Sequence, residues 1–128
     1  MKNIFLIACL SIFTIQALEA QKAVAEAEFY PLRTLPIPHN IELEVGGMAT
    51  IPDGRLAVST RRGEIWMVEN PYSATPFYKL FASGMHEVLG LNFHKGSLYA
   101  VQRGELTKLT DQNGDGSADP VSYTHLTL

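Results

Sequence analysis

The sequence predicts an all-β fold assembled from a repeated unit of four short strands. Three observations predict it. Residues 54–68 read GRLAVSTRRGEIWMV and residues 96–109 read GSLYAVQRGELTKL, so one pattern occurs twice. The spacing is steady: Gly54 to Gly96 and Leu56 to Leu98 are 42 residues apart, and Gly63 to Gly104 and Glu64 to Glu105 are 41. From Ile41 onward the apolar runs are short and punctuated by turn residues, and none has the length and period of an amphipathic helix.

The chain begins MKNIFLIACLSIFTIQALEA. Lys2 is a short positive region, residues 4–15 are apolar apart from Ser11 and Thr14, and small residues follow. That layout predicts a signal peptide over residues 1–20, with cleavage between residues 20 and 27 and a secreted or periplasmic destination. The apolar run is shorter than the roughly 20 residues a membrane span needs, so no membrane partner is expected after cleavage. LIAC at residues 6–9 looks like a lipidation box, but it sits too near the start and the apolar run continues past it. Cys9 is the sole cysteine, so packing rather than an internal disulfide has to hold the fold.

Residues 21–40 read as a linker, Ala/Glu-rich and then Pro-rich, with three prolines between Pro31 and Pro38. Residues 41–45, IELEV, alternate like a half-exposed strand. Residues 48–51 end at Pro-Asp-Gly, residues 55–60 at Arg-Arg-Gly, residues 64–68 at Glu-Asn-Pro and residues 77–82 at Ser-Gly. The series resumes with residues 88–93, a turn at His94 to Gly96, residues 97–102, a turn at Arg103 and Gly104, residues 105–109, and the loop DQNGDGSADP.

A repeat of about 40–50 residues carrying four short strands has the size of a propeller blade. The fold class is therefore all-β: about two blades, each an antiparallel four-stranded sheet, of a truncated β-propeller preceded by a signal-peptide helix. Residues 41–120 hold the first blade and an incomplete second one, and the missing blades of the same chain are the implied structural partners. A free-standing small β-sandwich is the competing architecture. IELEV is a candidate outer strand for a last blade that closes the ring.

Residues 121–128, VSYTHLTL, are what GTC TCT TAT ACA CAT CTG ACG CTG encodes. That DNA resembles the adapter end left by transposase-based sequencing libraries, so the segment is set aside from the fold. Its Val, Tyr, Thr and Leu would otherwise make an acceptable strand.

Residues 46–120 resemble the soluble quinoprotein glucose/sorbosone dehydrogenase-like propellers, in particular the large secreted bacterial type. GGMATIPDGRLAVSTRRGEIWMVEN and HEVLGLNFHKGSLYAVQRGELTKLTDQNGDGSADP carry the resemblance, over about 75 residues. LGLNFH with the following LYAV is similar to the family's LGLAFHPDG…LYV pattern, with Lys95 where Pro-Asp is usual. The resemblance implies a six-bladed ring. In its enzymatic members it implies oxidation of a sugar or polyol with pyrroloquinoline quinone (PQQ) and calcium. The family's catalytic histidine and most of its cofactor contacts lie in later blades, so no position here receives those roles. A non-catalytic propeller that binds a glycan or protein partner is the alternative.

Blade geometry singles out one rim. With strands ordered a to d from the centre outward, the b–c turns and the d–a connections share an edge. Arg61, Arg62 and Arg103 fall in b–c turns, and His86 and Glu87 fall in the d–a connection. Arginine's planar fork suits carboxylate or phosphate, and His86 is a candidate general base. The plainer expectation is that Glu64 and Glu105 neutralise the arginines at the surface, at about 0–1 kcal/mol per pair. On the opposite rim Asp111, Asn113, Asp115 and Gly116 match the start of a calcium loop, with Asp119 a further oxygen donor. The bidentate glutamate expected at its twelfth position is absent, and the alternative is a turn whose Asp and Asn side chains bond their own backbone. Trp66, Phe77, Tyr78 and Phe81 are expected in the packing between or outside blades, with sugar stacking the other reading of Trp66. The net charge of −3 and the lack of a basic stripe set nucleic acid aside as a partner.

Overall fold

The computed structural model describes residues 29–119 and, for the backbone alone, residues 122–125. The expected signal segment, residues 21–28 of the linker, Pro120, Val121 and residues 126–128 lie outside the described residues. The chain divides into two units, Met1–Arg33 and Thr34–Leu128. The second unit carries the fold.

That unit is all-β. Strands β1 (Val45–Thr50), β2 (Leu56–Thr60), β3 (Ile65–Glu69) and β4 (Phe77–Ala82) form one antiparallel sheet in chain order. Strands β5 (Gly90–His94), β6 (Ser97–Val101), β7 (Glu105–Leu109) and β8 (Ser122–His125) form a second sheet of the same topology. Two consecutive four-stranded meanders lying side by side are the arrangement of two propeller blades. The registers repeat as well: Leu56 faces Val68 in the first sheet and Leu98 faces Leu109 in the second.

Alternation sorts each strand's side chains onto two faces. From the first sheet Ala57, Ile65, Met67 and Phe81 point toward the second and meet Val88, Leu98, Ala100 and Leu109 in one buried cluster. The opposite face of the first sheet carries Val58, Val68 and Tyr78, packed with Ile41, Leu35, Leu43, Leu56 and Trp66. Trp66 thus lies under the chain that precedes β1, not between the two sheets.

Three expectations are corrected. IELEV is not a strand of its own: residues 41–44 are irregular and Val45 begins β1. Ile41 and Leu43 are drawn onto the sheet face as packing side chains, which a strand beyond the sheet edge could not supply. Phe77 does not pack; it is exposed, while Tyr78 and Phe81 are buried on opposite faces of β4. The strand expected at residue 88 starts at Gly90, because the Leu89 N–H already bonds the Val101 carbonyl from outside the ladder and Val88 is committed to the core. The segment set aside on the DNA argument contributes β8, with Glu105 opposite His125 and Lys108 opposite Ser122. Backbone pairing of this kind needs only good strand formers and carries no information on the origin of the codons.

Glycines allow the sheets to meet. A Cβ on Gly46 would stand 1.9 Å from the Val88 carbonyl oxygen, and one on Gly47 would stand 2.8 Å from the Gly90 Cα. In the β2–β3 turn, Gly63 has φ +82° and a Cβ there would stand 1.8 Å from the Met85 carbonyl oxygen. Gly54 also has positive φ, +92°, but faces open space. Gly63→Ala should therefore cost at least about 3 kcal/mol, from backbone strain plus a backbone clash. Gly54→Ala should cost only about 1–2 kcal/mol, from the backbone conformation alone. Urea unfolding of the two variants checks the contrast; equal losses would mean that the approach of Gly63 to Met85 does not hold the sheets together.

Candidate functional site

The connection between the sheets, residues 83–89, is clamped to both of them. The Met85 N–H donates to the Gly63 carbonyl at 3.1 Å, and the Leu89 N–H donates to the Val101 carbonyl at 2.9 Å. The His86 N–H donates to Gln102 Oε1 at 2.6 Å. Gln102 is buried and uses its other end too, donating to Glu105 Oε1 at 2.9 Å and to Thr107 Oγ1 at 2.5 Å. A single side chain thereby ties the connection to the β6–β7 hairpin.

Clamped in this way, the connection presents Glu87 between the two hairpin turns. Arg61, from the turn after β2, donates to Glu87 Oε1 at 3.1 Å, and Arg103, from the turn after β6, lies 2.9 Å from Oε2. One carboxylate thus links two arginines from successive sheets. Glu87 has φ +43°, a left-handed conformation that costs a non-glycine residue about 1–2 kcal/mol. The Arg103 side chain is 81% exposed and that of Arg61 is 61% exposed, so both guanidinium groups face solvent.

The plainer sequence expectation misplaced the partners. Glu64 accepts the Trp66 indole N–H at 3.0 Å and Glu105 accepts from Gln102, so neither neutralises an arginine. Glu87 serves Arg61 and Arg103, and Glu42 pairs with Arg62. Glu64 and Glu105 bond within their own hairpins, to Trp66 and Gln102, whereas the arginines reach across to Glu87 and Glu42 on neighbouring segments. His86 stands beside the cluster, but both oxygens of Glu87 are taken by arginines. Among the described residues nothing orients the imidazole. Gln102, the residue that organises the site, was not singled out in the sequence; its one signal was a polar residue ending an otherwise apolar strand. The connection and the β6–β7 hairpin also line a cleft of about 1110 Å³, bounded by His86, Glu87, Gln102, Arg103 and Ser117. That volume is at the scale of small-molecule sites.

The acidic loop lies at the far end of the same cleft, where Ser117 and Asp119 line it. Asp111 accepts the Gly114 and Gly116 N–H groups at 2.8 Å, one on each oxygen. Asn113 accepts the Asp115 N–H and Asp115 accepts the Ser117 N–H, both at 2.8 Å. Asp119 accepts the Gln112 N–H at 2.5 Å. The loop docks on β4 through the Ala118 N–H, which donates to the Phe81 carbonyl at 2.7 Å, and through Lys79, which donates to the Asp115 carbonyl. As folded, these oxygens accept backbone N–H groups, and among the described residues no group of three His, Cys, Asp or Glu side chains is placed to hold a metal ion. The Ser117 N–H, with help from the Asn113 amide, holds the Asp115 carboxyl below its ordinary value. Arg55, by its side-chain hydrogen bond, does the same for Asp53 in the turn after β1.

No protein-family profile matches the chain, and no curated protein does. Among solved structures the chain is similar to a protein of Thermus thermophilus provisionally described as an oxidoreductase (glucose dehydrogenase), with 22% identity and a TM-score of 0.48. The match covers 69% of this chain and 31% of that one, so the chain spans less than a third of that protein's length.

Two outcomes test the site. Gln102→Leu should destabilise the chain by about 1–3 kcal/mol, because it removes the acceptor of the part-buried His86 N–H and the donor to the buried Thr107 hydroxyl. Glu87→Gln should cost only about 0–1 kcal/mol, since its pairs are solvated, and that loss should vanish at 1 M salt, where the Debye length is about 3 Å. Denaturant titrations at low and high salt separate the two. In the loop, the Asp115 carboxylate with its lowered pKa contributes stability that is present above its ordinary value and is lost as pH falls through the lowered folded value. Protection of the Ser117 amide, its exchange relative to the intrinsic rate at each pH, should therefore fall only under strongly acidic conditions. Chelation with EDTA at neutral pH should leave it unchanged; a loss of protection on adding EDTA would reveal a bound divalent cation.

Proposed function

We propose that the chain is part of a secreted or periplasmic β-propeller of the quinoprotein glucose/sorbosone dehydrogenase-like type. In this reading the rim around Glu87 binds a sugar or polyol. The observation that carries it is one carboxylate held between Arg61 and Arg103 at the mouth of a ligand-sized cleft. A hydroxyl both donates and accepts, and a carboxylate beside a guanidinium offers the complementary acceptor and donor. Secretion rests on the signal-like residues 1–20.

The oxidation itself is outside what these residues can do. None of the described side chains matches a PQQ contact or the family's catalytic histidine, so no step is assigned to the quinone. Each Asp111 oxygen accepts one N–H and keeps a second lone pair, so these bonds leave the loop at residues 111–119 able to take calcium as well. What the chain's own residues supply is a preorganised binding edge. One observation favours a purely binding propeller for a glycan or protein partner: His86, the candidate base at the rim, has no orienting partner among the described residues.

Calorimetric titration of the full chain with glucose and sorbitol tests the reading. Weak saturable binding is expected, reduced about tenfold in Glu87→Ala by loss of one charge-assisted hydrogen bond of about 1.5 kcal/mol. Added PQQ and calcium should produce no sugar oxidation by this chain alone. Absence of saturable binding to either ligand would overturn the sugar-rim reading.

A further inference from the structure

The ion pairs of the rim follow the internal repeat, and the junction between the sheets departs from it. Glu42 lies three residues before β1, and Glu87 lies three residues before β5. Arg62 stands directly before Gly63 and Arg103 directly before Gly104, at matching places in two hairpin turns. Glu42 pairs with Arg62 and Glu87 with Arg103. Each sheet thus ties its own turn to the segment before its first strand with one carboxylate and one arginine. The junction adds a second cation. Arg61 crosses from the turn of the first sheet to Glu87 Oε1 at 3.1 Å. At the matching place in the second sheet stands Gln102, which is buried and neutral.

Two guanidinium groups therefore share one carboxylate, and the three groups together keep one positive charge. Glu64 and Glu105, the carboxylates nearest in sequence, are engaged with Trp66 and Gln102. Exposure decides which groups an incoming molecule meets. The Glu87 side chain is 27% exposed, against 61% for Arg61 and 81% for Arg103. A ligand meets N–H donors before it meets the carboxylate. Each guanidinium carries five N–H donors in a planar fork that matches a carboxylate, and Glu87 takes only part of them. Glu87 itself shows which group sits between both forks. All three residues belong to the junction of the two described sheets, at the mouth of the cleft lined by His86, Glu87 and Arg103.

We propose that this rim selects sugars that carry a carboxylate, the uronate class, with the acid group on the solvent side of Arg61 and Arg103 and the sugar ring at the mouth of the cleft. The proposal rests on the sugar-rim reading above and narrows its substrate class. A single uncompensated charge matches a singly charged acid better than a phosphate dianion. The arginines bind and orient the ring; no bond is made or broken.

Calorimetric titration of the full chain with glucuronate, glucose, glucose 6-phosphate and acetate tests it. Glucuronate should bind about tenfold more tightly than glucose, which differs from it only at the acid group. That preference should shrink in 1 M salt, where the Debye length is about 3 Å, and disappear in Arg103→Gln. Glu87→Ala, which leaves both arginines without their carboxylate, should widen the preference even as it weakens glucose. Equal affinity for glucuronate and glucose would overturn the proposal and leave the neutral-sugar reading standing. A preference that survives both Arg103→Gln and high salt would overturn it too, since the acid would then sit elsewhere. Acetate bound as tightly as glucuronate would show an anion site with no part for the sugar, and tighter glucose 6-phosphate would make phosphate the preferred group. If neither sugar binds, it is the sugar-rim reading that fails.

Discussion

Two backbones pass each other at contact distance where the first strand of one sheet meets the start of the next sheet. Gly46 and Gly47 lie against Val88 and Gly90, and Gly63 lies against Met85. No side chain fits at any of the three positions. A polypeptide gains little energy from such an approach by itself. What it permits is larger: with the innermost strands so close, Ala57, Ile65 and Met67 reach Leu98, Ala100 and Leu109 and form one apolar layer. Small residues at the backbone contact and large ones farther out give the two sheets a wedge-like relation.

The rim follows from the same contact. Because residues 83–89 are held between Gly63 and the β6–β7 hairpin, the Glu87 backbone is fixed within reach of both arginines. Its left-handed backbone is tolerated because the Met85, His86 and Leu89 N–H groups are all bonded around it. Energy and function separate here. Gln102 is buried and its bonds hold the connection in place, whereas Glu87 and its arginines are solvated and contribute little to stability. Groups whose pairing is easily rearranged at the mouth of a cleft are well suited to exchange partners with a ligand.

The two outer faces of the unit have different fates. One is sheltered by a proline-rich segment whose prolines hold it extended and deny it a ladder with the sheet. The other keeps Val101 in solvent. Exposed apolar sheet faces promote association, and chains commonly manage this with irregular covering segments. The cover also explains why Trp66 is half-buried, with its indole N–H returned to Glu64.

Strand positions, turn positions and the doubling of the unit were legible in the sequence, because each depends on local alternation and on glycine, proline and asparagine punctuation. Arg61, Arg103 and Glu87 could be placed on one edge from strand order alone. Their pairing could not: Glu64 and Glu105 were nearer in sequence, but they bond within their own hairpins, and the true partner lies 26 residues from Arg61. Phe77 and the segment IELEV misled for the same reason. An apolar or alternating run states that a side chain can be buried, not that a surface exists to bury it. By itself the sequence determined the all-β repeat and its chemistry-bearing turns, since these are set by neighbours along the chain. Which carboxylate meets which arginine, and what covers Trp66, only the tertiary structure decided, because those contacts depend on segments brought together by packing.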